Sequence, residues 1–348
     1  MESTHRRRPW ISGAALLAVL AAAGPAPAAA PSYHVDILAP LPGLDSAFAS
    51  DMSAEGVVAG TAGSDPFDPL GVPAVWAGGS PTPLPSPTGS LNFALGIGAP
   101  DLVAGTSSGE PYVWLRGVPV RLEAVDGMPG GVAFDASRSG VVVGAVVNDL
   151  LGRQFPAVWT SPGGPGRLLR GLRGISDGTA FAINERGRVA GIAGGAAVIW
   201  DGIRRAPRRI GTLPGGILGE LVALNDLGDA AGRTSFPDGT TEAMLWLSPE
   251  RRLAGLGFLD GAYSFAYGVN GARQVVGTAS AGEAVHAFLW EAGVMRDLND
   301  LVASSSGPFL HLSSAVAIDE AGRIAAEAVV PTPSGSATRA AILVPAVP

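Results

Sequence analysis

Short apolar runs alternate with turn residues along this chain, and the runs recur in phase. One run ends in tryptophan: Val75-Trp76, Val113-Trp114, Val158-Trp159, Ile199-Trp200, Leu245-Trp246 and Leu289-Trp290. A seventh copy, Ala340-Ala341-Ile342-Leu343, ends in leucine, and successive tryptophans stand 38, 45, 41, 46 and 44 residues apart. A second apolar run closes on Gly60, Gly105, Gly144, Gly191, Gly232, Gly277 or, in the last copy, Ala326. Seven residues earlier stands Ser53, Gly98, Ser137, Asn184, Asn225, Asn270 or Asp319. Four residues earlier stands glycine, with Asp101 and Arg273 as the exceptions. Asn, Asp or Ser opening a turn bonds its own backbone two residues on, and a glycine at the fourth place accepts positive φ, so the spacing predicts a tight hairpin. Eleven residues before the closing position the chain has Ala49, Ala94, Ala133, Ala180, Leu221, Ala266 and Ala315, a place with little room for a side chain.

Each unit therefore reads as strand A, a tight turn, strand B ending on its glycine, a loop of variable length, strand C ending on tryptophan, a short turn and strand D. Runs of three to six apolar or alternating residues broken by Gly, Asn and Pro are strands, and no longer window keeps a helical stripe. Four strands in about 40–45 residues make a propeller blade. The predicted fold is all-β, a seven-bladed β-propeller of four-stranded antiparallel blades. The last copy stops after its third strand, whereas Tyr33-His34-Val35-Asp36-Ile37-Leu38 precedes the first copy and matches the D strand Val294-Met295-Arg296-Asp297-Leu298. Pairing that first strand into the last blade closes the ring, and the tryptophans are expected to pack between blades.

The clearest copy runs Ser264-Phe265-Ala266-Tyr267-Gly268-Val269-Asn270, Gln274-Val275-Val276-Gly277, His286-Ala287-Phe288-Leu289-Trp290 and Gly293-Val294-Met295. On these residues the chain resembles the bacterial extracellular repeat proteins named for their His-Ala-Phe tripeptide, over roughly residues 33–344. The resemblance implies the repeat architecture and an extracellular setting, and it brings no functional residues with it. Only one unit keeps the eponymous histidine; Val72, Glu110, Phe155, Ala196 or Glu242 holds the place elsewhere.

Residues 1–30 carry a basic start, His5-Arg6-Arg7-Arg8, an apolar run from Trp10 to Ala23, and small residues up to Ala30. That order predicts a secretory signal cleaved near Ala30, the alternative being an uncleaved N-terminal anchor, with the general or the twin-arginine route both open. The remainder, 31–348, is expected to form one propeller domain, secreted and monomeric, with no membrane segment. It has no cysteine, which excludes disulfides, thiol nucleophiles and thiolate metal sites. Its 20 arginines face 29 acidic residues, a balance of −9, and without a basic stripe that excess argues against nucleic acid and anionic membranes as partners.

No catalytic motif is present: no HExxH, no phosphate loop, no Gly-x-Ser-x-Gly elbow. The deviations from the repeat are better pointers, because insertions collect on one face of a repeat protein. The loops between strands B and C are long in units one, three and five. They supply the candidate ligand-binding residues Asp65, Asp68, Arg153 and Asp238; His286 and His311 complete the set, the latter in an insertion at 303–313. Asp65 with Asp68 is the one pairing that raises calcium, and no other cofactor is expected. Arg204, Arg205, Arg208 and Arg209 form a local basic cluster, read as a solvated turn or an anion contact. The expected function is binding of an extracellular polysaccharide or protein partner through loops on one propeller face. The alternative is an extracellular lyase or hydrolase with its site at the axis.

Overall fold

The backbone turns where glycine, asparagine and proline interrupt the apolar runs. In a computed structural model that describes residues 31–346 except 67 and 149, those interruptions delimit seven sheets, six of them four-stranded and antiparallel with their strands in sequence order. The expected export segment, 1–30, lies outside the described residues. Blade 6 shows the unit: strand A is Ser264–Val269, B is Val275–Ala281, C is Ala284–Glu291 and D is Val294–Asp297. The A strands of successive blades neighbour one another round a complete circle, that of blade 7 (His311–Ile318) lying beside that of blade 1 (Ser46–Met52).

The ring closes as the sequence predicts. The strand Tyr33–Ile37 pairs antiparallel with the final strand, Gly335–Pro345, with Val35 opposite Leu343 and Asp36 opposite Ile342. Blade 7 also carries a fifth strand. Val302–Ser305, expected to be part of a free insertion, runs parallel to Tyr33–Ile37 on its outer side. Its Ser304 hydroxyl meets His34 Nδ1 at 2.7 Å, and Ser306 N–H donates to Val35 O at 2.8 Å. The closing strand is thereby bonded along both edges, so no open edge is left where the ring joins.

Apolar burial is concentrated at the seams between blades. Trp159 of blade 3 packs with Leu102, Ala104 and Val113 of blade 2, and Trp200 of blade 4 packs with Val143 and Val158 of blade 3. Leu343 takes the tryptophan's place at the last seam, against Val276 and Leu289. The indole N–H groups of Trp76, Trp114, Trp159 and Trp200 donate at 2.7–2.9 Å to the carbonyls of Ala39, Pro85, Glu123 and Arg170. In each case that carbonyl follows a buried leucine at the end of the preceding D strand: Leu38, Leu84, Leu122 and Leu169. Leu213, Leu256 and Leu298 repeat the position in the other blades. This third anchor is present in the sequence but obscured there by the variable lengths of the C–D turns.

One expectation needs correction. The recurrent glycine does not end strand B; it lies within it, as Gly277 does in Val275–Ala281. It faces the small residue of strand A, Ala266 opposite Gly277 and Ala133 opposite Gly144, at a point where strand A skips one residue of register. A Cβ at any of the six glycines would stand 1.9–2.1 Å from a strand A carbonyl oxygen. The bulge turns that carbonyl toward strand B, and only a residue with no side chain fits beneath it. In blade 7, where Ala326 replaces glycine, strand A has a second register shift between Leu312 and Ser314.

Candidate functional site

The strand A bulges determine what lines the axis. The residue skipped in each blade points inward: Ser50, Leu95, Phe134, Phe181, Val222, Tyr267 and Val316. Together with their neighbours they enclose an axial cavity of about 460 Å³. Phe134 and Phe181 meet edge to face with ring centroids 5.1 Å apart. The skipped residues thus give the axis a mainly aromatic and aliphatic lining. The sequence reading missed these residues, because a bulge residue carries no periodic signal of its own.

Two carboxylates enter the same cavity one residue further on. Asp51 Oδ1 accepts from Met52 N–H at 2.7 Å, and Oδ2 from Ile97 N–H of blade 2 at 2.9 Å. Asp135 repeats this with Ala136 N–H at 2.7 Å and Ile183 N–H of blade 4 at 2.8 Å. Gly96 holds the equivalent place in the blade between them. Burial pushes the Asp51 carboxyl up to about 6, against the lowering effect of its two amide donors. Burial together with the Asp51 charge pushes Asp135 up to about 8. Both side chains are half-buried, so they are in contact with the cavity while being only partly hydrated.

A second ring of polar contacts surrounds one mouth of this cavity. The A–B turns form as expected: Asn184 Oδ1 accepts from Arg186 and Arg188 N–H, and Gly187 has φ +71°. Arg273 takes the glycine's place at φ +62°, with its guanidinium on the buried Asp229 at 3.0 Å. Blade 2 differs, with Ala99 pairing directly to Leu102 in a shorter hairpin. Most of these turns also reach another blade. Asn184 Nδ2 donates to Asn225 O, Asn225 Nδ2 to Asn270 O, and Asn270 Nδ2 to Asp319 O, at 2.9–3.0 Å. Arg323 carries the circuit from blade 7 to Ala54 O and Glu55 O of blade 1; Arg138 links Glu55 to Glu185 across the short blade 2 turn.

Because antiparallel strands reverse direction, the B–C and D–A connections emerge on the opposite face, which carries the six sequence-predicted residues. They are spread over several blades. Asp68 is half-buried and accepts from Ser64 N–H, Ser64 Oγ and Leu70 N–H at 2.8–2.9 Å, bonds that hold its carboxyl below the ordinary range. Asp65 accepts Asp68 N–H through its backbone carbonyl at 3.2 Å. Asp238 closes its own turn onto Thr240 N–H at 2.9 Å, which likewise lowers its carboxyl. Arg153 pairs with Asp177 at 2.6 Å beside a cleft of about 270 Å³ between blades 3 and 4.

Only His286 and His311 come together, with ring centroids 5.3 Å apart across the seam of blades 6 and 7. His286 Nδ1 lies 2.6 Å from Asp297 Oδ2, and Asn299 ties Asp297 to the backbone of Leu312. Burial holds the His311 imidazole below its ordinary value; His286 adds to this and Asp297 opposes it. Among the described residues no group of three or more His, Asp or Glu is arranged to hold a metal ion.

No protein-family profile matches this chain, and no curated protein sequence does. In fold it is similar to the extracellular domain of a hybrid two-component system from B. thetaiotaomicron, with a TM-score of 0.54 and 8% identity over 89% of this chain. This chain spans 40% of that one's length. It is also similar to YCF48 bound to D1 peptide, with a TM-score of 0.50 and 11% identity, over 92% of this chain and 98% of the other. At such identities the likeness establishes the shared propeller architecture.

Proposed function

We propose that this protein is a secreted binding protein of the His-Ala-Phe repeat type, which recognises an extracellular polymer or protein partner through the face formed by its B–C and D–A loops. The observation that carries this reading is the distribution of exposed apolar side chains. Leu70, Leu91, Leu150, Leu151, Ile217, Val285 and Leu310 lie on that face, seven of the eleven exposed large hydrophobics. Leu150 is 97% exposed and Leu70 76%. Exposed leucines gathered on one side of a domain that otherwise buries its apolar residues at blade seams mark an interaction surface. One structural relative of comparable length is recorded with a bound peptide, which agrees with a propeller serving as a docking platform. The enzyme alternative has Asp51 and Asp135 to draw on, but each uses its oxygens on backbone N–H groups and neither has a basic partner in the cavity.

The test is retention of the exported protein against extracellular polymers and culture-fluid proteins, with calcium and with a chelator, for wild type and for the double variant Leu150→Ser, Leu151→Ser. Retention of wild type that falls at least tenfold in the variant is expected. No retention of wild type on any material overturns the reading, and equal retention of the variant moves the contact away from this face.

A further inference from the structure

The opposite face has a charge pattern that the overall balance of the domain does not predict. Arg204 and Arg205 occupy the C–D turn of blade 4, Arg208 and Arg209 open its D strand (Arg208–Gly211), and Arg251 and Arg252 stand at the equivalent corner of blade 5. Five of the six are exposed and Arg208 is half-buried. None of the six forms an ion pair among the described residues, although acidic residues outnumber arginines in 31–348. The nearest carboxylates are engaged elsewhere: Asp201 with Arg188 at 3.0 Å and Glu250 with Arg273 at 3.0 Å.

The group is also mutually close. Arg208 lies within electrostatic reach of Asp201 and, more weakly, of Arg251 and Arg188; Arg252 lies within reach of Glu250, and Arg167 of blade 3 within reach of Arg204. Arg208 is fixed in place with its guanidinium 5.0 Å from the Trp246 ring centroid, and its Nε–H is buried without an acceptor. Gathering like charges on one rim raises the free energy of the protein alone, and a multivalent anion lowers it again through guanidinium–anion pairing.

We infer that the rim of blades 3 to 5 on the A–B and C–D face binds an acidic polysaccharide, a chain bearing carboxylate or sulfate groups at sugar spacing. Such a chain presents repeated anions along an extended backbone, which a row of exposed guanidiniums across two neighbouring blades matches. A nucleic acid would need aromatic platforms for its bases, and among the described residues no Phe, Tyr or Trp is an exposed large hydrophobic. This site is separate from the apolar loop face, so the two proposals stand or fall independently.

The experiment is salt-gradient elution of the exported protein from immobilised polygalacturonate and from immobilised dextran sulfate. The variants are Arg204→Ser with Arg205→Ser, Arg251→Ser with Arg252→Ser, and Arg116→Ser with Arg121→Ser as a control of equal charge change on blade 2. Wild type is expected to be retained on at least one matrix. Each rim pair should weaken retention at least fivefold and flatten the salt dependence by roughly 1–2 in log–log slope. The blade 2 control and the Leu150→Ser, Leu151→Ser variant should elute with wild type. All eight side chains replaced in these variants are exposed, so melting temperatures should match; circular dichroism checks this. Passage of wild type through both matrices at low salt overturns the inference. Equal weakening in the blade 2 control, or displacement by a single-stranded oligonucleotide at lower concentration than by free polysaccharide, overturns it as well.

Discussion

The two faces of this propeller are built from the same repeat and differ in almost every other respect. On the A–B and C–D side most A–B turns are short and alike, with first residues that cap their own hairpins, and amide groups of three of them bond on to the neighbouring blade. On the B–C and D–A side loop lengths vary from blade to blade, and exposed leucines stand among the loops. A turn tied to its neighbour is constrained in both length and residue type. The loops of the second face touch the next blade at points, as where Gly131 N–H donates to Gly109 O at 2.7 Å, yet their lengths vary, and variable loops are where binding function is accommodated.

Breaking the comparison at its strongest point means changing what both faces share. Gly144→Ala would place a methyl group about 2.0 Å from Val132 O, a backbone atom at the bulge. It is expected to cost at least about 3 kcal/mol, the upper range of overpacking, read as a drop in denaturation midpoint. Trp159→Ala removes a fully buried indole and its bond to Glu123 O, with an expected loss of about 3–5 kcal/mol by the same measurement. The belted face comes next. Asn225→Ala removes the cap on Asp229 N–H and leaves Asn270 O without its donor, an expected loss of about 1–3 kcal/mol. The loop face should respond least: Leu151→Ser is expected to stay within about 0.5 kcal/mol of wild type. An Asn225 variant as stable as the Leu151 variant would erase the distinction between the faces.

The axial carboxylates sharpen the contrast through pH. Burial pushes Asp51 up to about 6 and, with the Asp51 charge beside it, Asp135 up to about 8, both above an ordinary aspartate at 3.8. A carboxyl whose folded value is raised binds its proton more tightly in the native state. Its stabilising contribution is complete below the unfolded value and is lost as pH rises through the folded one. Wild type should therefore lose stability between pH 6 and pH 9 relative to Asp135→Asn, which cannot titrate. Parallel melting curves for the two proteins across that range would show that the pair is not coupled to folding.

Much of this architecture was legible before any coordinates. The tryptophan and turn anchors mark seven blades, and the orphan strand from Tyr33 to Leu38 foretells the closure, because both are periodic signals written into residue type. The functional surfaces were legible only in part. His286 and His311, 25 positions apart, were picked out one by one, and nothing in the chain says that they face each other across a seam. Arg204 to Arg209 appear as a local cluster, yet their extension to Arg251 and Arg252 depends on blade 5 standing beside blade 4. Phe134 and Asp135 carry no mark in the sequence at all, because their position in the axis depends on the register skip beside Ala133.

The sequence by itself thus determined the unit, its number of copies and the way the ring shuts, since each rests on local strand and turn preferences repeated in phase. Only the tertiary structure decided which side chains meet: the aromatic lining of the axis, the belt of amides round one mouth and the unpaired arginine rim. The physical reason is that a propeller brings together residues about one blade length apart through the rotation from blade to blade, and that rotation is a property of packed sheets with no counterpart in the order of residues along the chain.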